Sequence, residues 1–121
     1  MEHELDLVLG TVIDSLAKIS MLFFLRERPA TAVTPDVIAS HVGRQPEHVR
    51  YALEQLGEAK FVTRFPVGRG RIVLYGPAED ARILEMIELL YSRYHESDAR
   101  RAEIMRKVLH RRNGEAAPRL E

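Results

Sequence analysis

The chain has 121 residues, 45% of them hydrophobic, and carries 18 Lys and Arg against 18 Asp and Glu, so its formal net charge is zero. That length suits one ordinary domain, and the balance excludes a polybasic tail protein while leaving room for a local basic patch. Cysteine is absent, which excludes a disulfide scaffold, a thiolate zinc site and cysteine nucleophile chemistry.

Residues 1–28 are predicted as one helix, with Leu5, Val8, Leu9, Val12, Leu16, Ile19 and Phe23 at helical spacing. Its end, Met21 to Leu25, is apolar on nearly every side and is expected to be buried all round. The stretch from Ile19 to Leu25 falls far short of the roughly 20 apolar residues of a membrane span. Glu2, Glu4 and Asp6 stand where a secretory signal would carry positive charge. A cytoplasmic protein with no membrane partner is expected. Pro29 lies where a helix stops. Ala32 and Val33 suit a very short strand.

Thr34-Pro35 then opens a second helix, pairing a capping hydroxyl with a proline at the first helical position. Ile38, Ala39 and Val42 form its inner face, and Gly43 supplies the left-handed residue that ends it. Pro46 starts a third helix with Val49, Ala52, Leu53 and Leu56 on one stripe. After Lys60 the period shortens toward two. Phe61 to Pro77 reads as a β-hairpin with Gly68 and Gly70 at its centre and arginines at its tip. A fourth helix is expected from Ala78 through Tyr94, and either a continuation or a fifth helix, capped by Ser97 or Asp98, through Leu109. Residues 113–121 are expected to be a flexible tail.

Residues 34–62, "TPDVIASHVGRQPEHVRYALEQLGEAKFV", resemble the winged helix-turn-helix domains of bacterial transcription regulators of the MarR and ArsR type. The matching features are Ala39 at the helix contact, Val42-Gly43 at the turn, Val49 in the third helix, and Leu53, Leu56 and Ala59 before Phe61-Val62. The resemblance covers about residues 15–77, with "GRGR" at the hairpin tip. It implies a mainly α fold with a small β-hairpin, a winged helix-turn-helix with N- and C-terminal dimerisation helices. The expected layout is a single domain over 1–112, with the helix-turn-helix at about 34–60, the wing at about 61–77 and the C-terminal helix or helices at about 78–112.

In that fold the third helix enters the major groove, which is about 12 Å wide and admits one helix. The face left outward by its apolar stripe holds Glu47, Arg50, Tyr51, Glu54 and Glu58, with His48 and Gln55 on the flanks. Arg44, Gln45, Glu47 and His48 occupy the end that goes deepest. Gln45 departs from the Ser or Thr common at this cap. The expected double-stranded DNA contacts are Arg44, Gln45, His48, Arg50, Tyr51 and Gln55 from the helix, and Arg64, Arg69 and Arg71 from the wing. Residues 61–77 hold those three arginines and no acid, whereas residues 1–60 carry six Lys and Arg against nine Asp and Glu.

The implied function is a sequence-specific DNA-binding regulator, most simply a homodimeric repressor. Three carboxylates against one guanidinium on the outward face repel phosphate, and this supports the alternative of a winged-helix module that docks another protein. Residues 99–112 hold six Lys and Arg against one acid. They form a basic amphipathic stretch that would serve either DNA or a subunit contact. Leu7, Met86, Leu89 and Leu90 are expected to be spare apolar surface for that dimer. Phe23, Phe24, Tyr91 and Tyr94 suit either a core or a pocket for a small apolar effector.

No cofactor, metal or catalytic residue is expected. Glu88, Tyr91 and His95 share a helix face, but one histidine among five scattered through the chain falls short of a converging ligand set. Glu85 and Glu88 lack a setting that would separate their pKa values, and "GRGR" joins strands where a phosphate loop would open a helix.

Overall fold

The computed structural model describes residues 1–116, and side chains as far as Leu109. Six helices and one antiparallel hairpin follow in the order α1 (Glu2–Val8), α2 (Leu16–Arg26), α3 (Pro35–Val42), α4 (Pro46–Glu58), β1 (Val62–Val67), β2 (Ile72–Pro77), α5 (Ala81–Glu96) and α6 (Asp98–Ala116). The mainly α architecture with a small hairpin is the winged helix-turn-helix that the resemblance implies. The chain divides into two compact units, one of residues 17–84 and one of residues 1–16 with the chain from Glu85 onward.

The unit of residues 17–84 carries the helix-turn-helix. Thr34 caps α3, its hydroxyl oxygen accepting from the Val37 amide at 3.4 Å, and Pro35 stands at the first position. The helix ends at Gly43, at φ +70° and ψ +39°, whose amide donates to the Ala39 carbonyl at 2.9 Å. A left-handed residue here closes the last turn at no side-chain cost. In α4 the residues Val49, Ala52, Leu53, Leu56 and Gly57 are buried, and this helix packs against both α3 and β1. Strand β1 pairs with β2 from Val62↔Pro77 to Val67↔Ile72. Val33 adds a third, one-residue strand, exchanging backbone bonds of 2.9 and 2.7 Å with Tyr75. Met21, Leu22, Phe24 and Leu25 of α2 are buried and Phe23 half-buried, as an apolar helix end requires.

In the other unit the expected single helix over 1–28 is broken. α1 stops at Val8 and α2 starts at Leu16. Between them Gly10 turns at φ +92°, and its amide donates to the Ile13 carbonyl at 2.8 Å while the Ile13 amide donates to Val8 at 2.9 Å. The Thr11 hydroxyl donates to the Leu7 carbonyl at 2.7 Å. Leu9 and Ile13, joined by this tight loop, are both buried. The apolar spacing continues through the break, which is why periodicity alone joins the two helices.

Among the C-terminal helices two expected bounds shift and one alternative left open by the sequence is decided. Helix α5 begins at Ala81 and not at Ala78, because Asp80 accepts from the Arg82 and Ile83 amides at 2.9 and 3.1 Å and so caps it. The segment after the hairpin is two helices: Ser97 interrupts it and its hydroxyl accepts from the Arg100 amide at 3.1 Å. Of the expected tail, residues 113–116 continue α6, and 117–121 lie outside the described residues. Met86 and Leu90, expected as spare apolar surface, are buried within the chain, while Leu7 stays 52% exposed. Arg93 pairs with Glu2, and Lys107 with Asp6 at 2.8 Å, tying α1 to α5 and α6 by charge.

Candidate nucleic-acid interface

The buried stripe of α4 decides what the helix shows. With Val49, Leu53 and Leu56 fully buried, Glu47, His48, Arg50, Tyr51, Glu54 and Glu58 are exposed and Gln55 is half-buried. Arg44 and Gln45 are exposed in the turn between α3 and α4, and Gln45 makes no side-chain capping bond. Tyr51 is 63% exposed, unusual for a large aromatic side chain with nothing to bury it.

At the hairpin tip Gly68, Arg69 and Gly70 have φ of +58°, +62° and +83°. The Gly70 amide donates to Val67 at 3.0 Å and that of Arg71 to Gly68 at 3.3 Å. A non-glycine residue in the left-handed region is uncommon, and here it puts Arg69 at the apex of the turn.

The fold brings residues together that lie far apart in the chain. A cleft of about 370 Å³ opens between the start of α3, the outer side of α4 and the hairpin. Arg50 of α4, Arg64 of β1 and Arg71 beside the tip all line it, together with Asp36 and Glu54. Counted along the helix, Arg50 is one cation among three acids. Counted in the cleft, three guanidinium groups face two carboxylates. Arg50 Nη2 lies 4.0 Å from Asp36 Oδ1, with the two side chains 55% and 73% exposed.

Arg64 takes its place because Gly57 has no side chain. A Cβ at position 57 would stand 3.0 Å from Arg64 Cδ and 3.1 Å from its Cγ. The arginine stem therefore lies across the α4 backbone, with part of the same side chain lining a second cleft of about 550 Å³ beside Glu58, Lys60, Glu79 and Asp80. Arg44, Gln45, His48, Tyr51, Gln55 and Arg69 do not line the arginine cleft.

Two residues of this site escape a reading of the sequence. Asp36 sits in the first turn of α3, where an acid is explained by the helix dipole alone. Gly57 does leave a trace: a glycine within a buried helical stripe marks close approach. Elsewhere, among the described residues, no group of three or more His, Asp or Glu is placed to hold a metal ion. His95 Nδ1 lies 2.8 Å from the Tyr91 carbonyl, and its ring packs against Tyr91 at 4.3 Å between centroids. No described helix is long and apolar enough to cross a membrane.

A helix-turn-helix followed by a two-stranded wing defines the winged-helix class. Solved structures of this class are similar to the chain. The complex of Staphylococcus aureus MepR with DNA aligns at a TM-score of 0.60 and 20% identity, over 79% of this chain and 77% of that one. MepR itself, a transcription regulator of the multidrug efflux pump MepA, aligns at 0.57 and 19% identity, over 78% and 71%. A mutant of Lactococcus lactis ZitR in complex with DNA aligns at 0.54 and 18% identity, over 74% and 59%. No protein-family model matches the chain, and no curated protein sequence matches it. The fold of these regulators is the fold of this chain.

Proposed function

We propose that the chain is a sequence-specific double-stranded DNA-binding transcription regulator, a homodimeric repressor acting in the cytoplasm and not an enzyme. The observation that carries this reading is the convergence of Arg50, Arg64 and Arg71 on one cleft between α4 and the wing. A groove-reading helix and a backbone-gripping wing need cations where the two elements meet, because phosphate contacts set orientation and base contacts set sequence. The likeness to MepR and ZitR, both crystallised with DNA, supports it. Met1 at the cap of α1, Leu7 on α1 and Leu109 on α6, 41%, 52% and 41% exposed, are apolar surface that a second subunit would cover.

Helix and wing variants should fail differently. Arg50→Ala removes the guanidinium that can bond a guanine edge in two places, a contact worth about 1–3 kcal/mol of discrimination, and should relax one position of each half-site. Arg69→Ala or Arg71→Ala should weaken all sequences together and lower the salt slope by about one unit for each phosphate left without its arginine. The test is a titration over a range of salt against matched and scrambled duplexes. Wing variants that keep the wild-type slope would exclude the hairpin as a DNA contact.

A second reading, a protein-docking module, draws on the three carboxylates of α4 and on Phe65, Val67 and Ile72, 38%, 39% and 52% exposed on the hairpin. Failure of the wild type to bind any duplex at low salt would favour it.

A further inference from the structure

We infer that Asp36 is a specificity-determining residue that acts through Arg50. It holds the guanidinium for a base edge and withholds it from phosphate. This rests on the DNA-binding reading above.

Arg50 is an exposed side chain on a long stem, and alone it would serve any phosphate within reach. It is not alone. Asp36, delivered from the first turn of α3, approaches one of its terminal nitrogens at 4.0 Å. Glu54, one turn further along α4, lines the same cleft. An exposed pair of this kind contributes little to stability, since water screens both partners. Its consequence lies in what the arginine can bind next.

A guanidinium has five donors in a planar fork. With one nitrogen facing a carboxylate, the charge offered to an approaching phosphate is offset, and a phosphate oxygen entering there is repelled by Asp36. The donors still free remain suited to a neutral pair of acceptors such as those on a guanine edge. Asp36 thereby penalises backbone contact more than base contact, and discrimination widens because the wrong complex is weakened.

The experiment measures affinity for a selected duplex, for scrambled duplexes and for duplexes changed at the base pair that Arg50 reads. The proteins are wild type, Asp36→Asn, Arg50→Ala, the double variant, and Glu79→Gln, which makes the same charge change outside the cleft. Thermal unfolding of each confirms that the exposed substitutions leave the fold intact.

Asp36→Asn should bind scrambled duplexes about threefold more tightly per bound subunit, the order expected on removing one like charge at an assumed separation of about 7 Å from a phosphate in water. It should lose discrimination at the Arg50 base pair by a similar factor. Added to Arg50→Ala, the substitution should raise all affinities alike and change no discrimination. Glu79→Gln should leave discrimination as in wild type. A folded Asp36→Asn protein with wild-type discrimination would overturn the inference, and so would an equal loss with Arg50 absent. Wild type that binds no duplex would overturn the DNA-binding reading itself, and this inference with it.

Discussion

Gly43 and Gly57 are demanded by different physics, and substitution separates the two. At Gly43 the backbone is left-handed and nothing lies within 4 Å of where a Cβ would stand. Gly43→Ala should therefore cost the backbone term alone, about 1 kcal/mol, read as a lower denaturant midpoint with an unchanged m-value. At Gly57 the backbone is helical and the obstacle is the Arg64 stem. Alanine in a helix gains about 1 kcal/mol over glycine, which offsets the crowding, so stability should change little. The displaced Arg64 should instead lower affinity for every duplex. A Gly57→Ala protein that loses stability while keeping full affinity would show that Arg64 plays no part in the interface.

At the scale of the element, the turn between α3 and α4 leaves an improvement unused. Gln45 occupies the N-cap of α4 without a side-chain bond to the helix. Gln45→Ser should supply that bond and stabilise the protein by about 0.5–1 kcal/mol, measured as a rise in the unfolding midpoint. Much of the interface's framework is legible in the sequence for the same reason, since its signals are local. Thr34-Pro35, Gly43 and the stripe of Val49, Leu53 and Leu56 each act within one helix or turn, and each stands where its chemistry predicts. What the sequence hides depends on neighbours distant along the chain. The break after Val8 keeps Leu9 and Ile13 apolar and buried, so the pattern runs on through a chain that turns. Arg64 reads as a wing cation, but only the close approach of β1 to Gly57 places it beside Arg50. Asp36 looks like an ordinary first-turn acid until α4 packs against α3.

Across the molecule, the terminal helices are held partly by charge. Lys107 has its pKa raised, chiefly by the hydrogen bond from its ammonium to Asp6; burial opposes this, and the charge of Asp6 and then the hydrogen bond and charge of Glu103 add smaller increases. A raised lysine pKa means that this contribution is fully present below the ordinary lysine value near 10.5 and is lost as pH rises through the higher folded value. Stability should therefore show no loss from this pair between neutrality and about pH 10, and should fall above it; Lys107→Met should abolish that alkaline step. The pair is well exposed, so the substitution should cost less than about 1 kcal/mol at pH 7. If two copies join through α1 and α6, light scattering at micromolar concentration should give twice the 13.9 kDa chain mass. The most direct trial of the whole account is selection from random duplexes with the purified protein. A dimer that reads DNA through α4 should enrich an inverted repeat whose half-sites lie about one helical turn, or 10–10.5 base pairs, apart. Recovery of unselected sequences, with no duplex retained even at low salt, would contradict it.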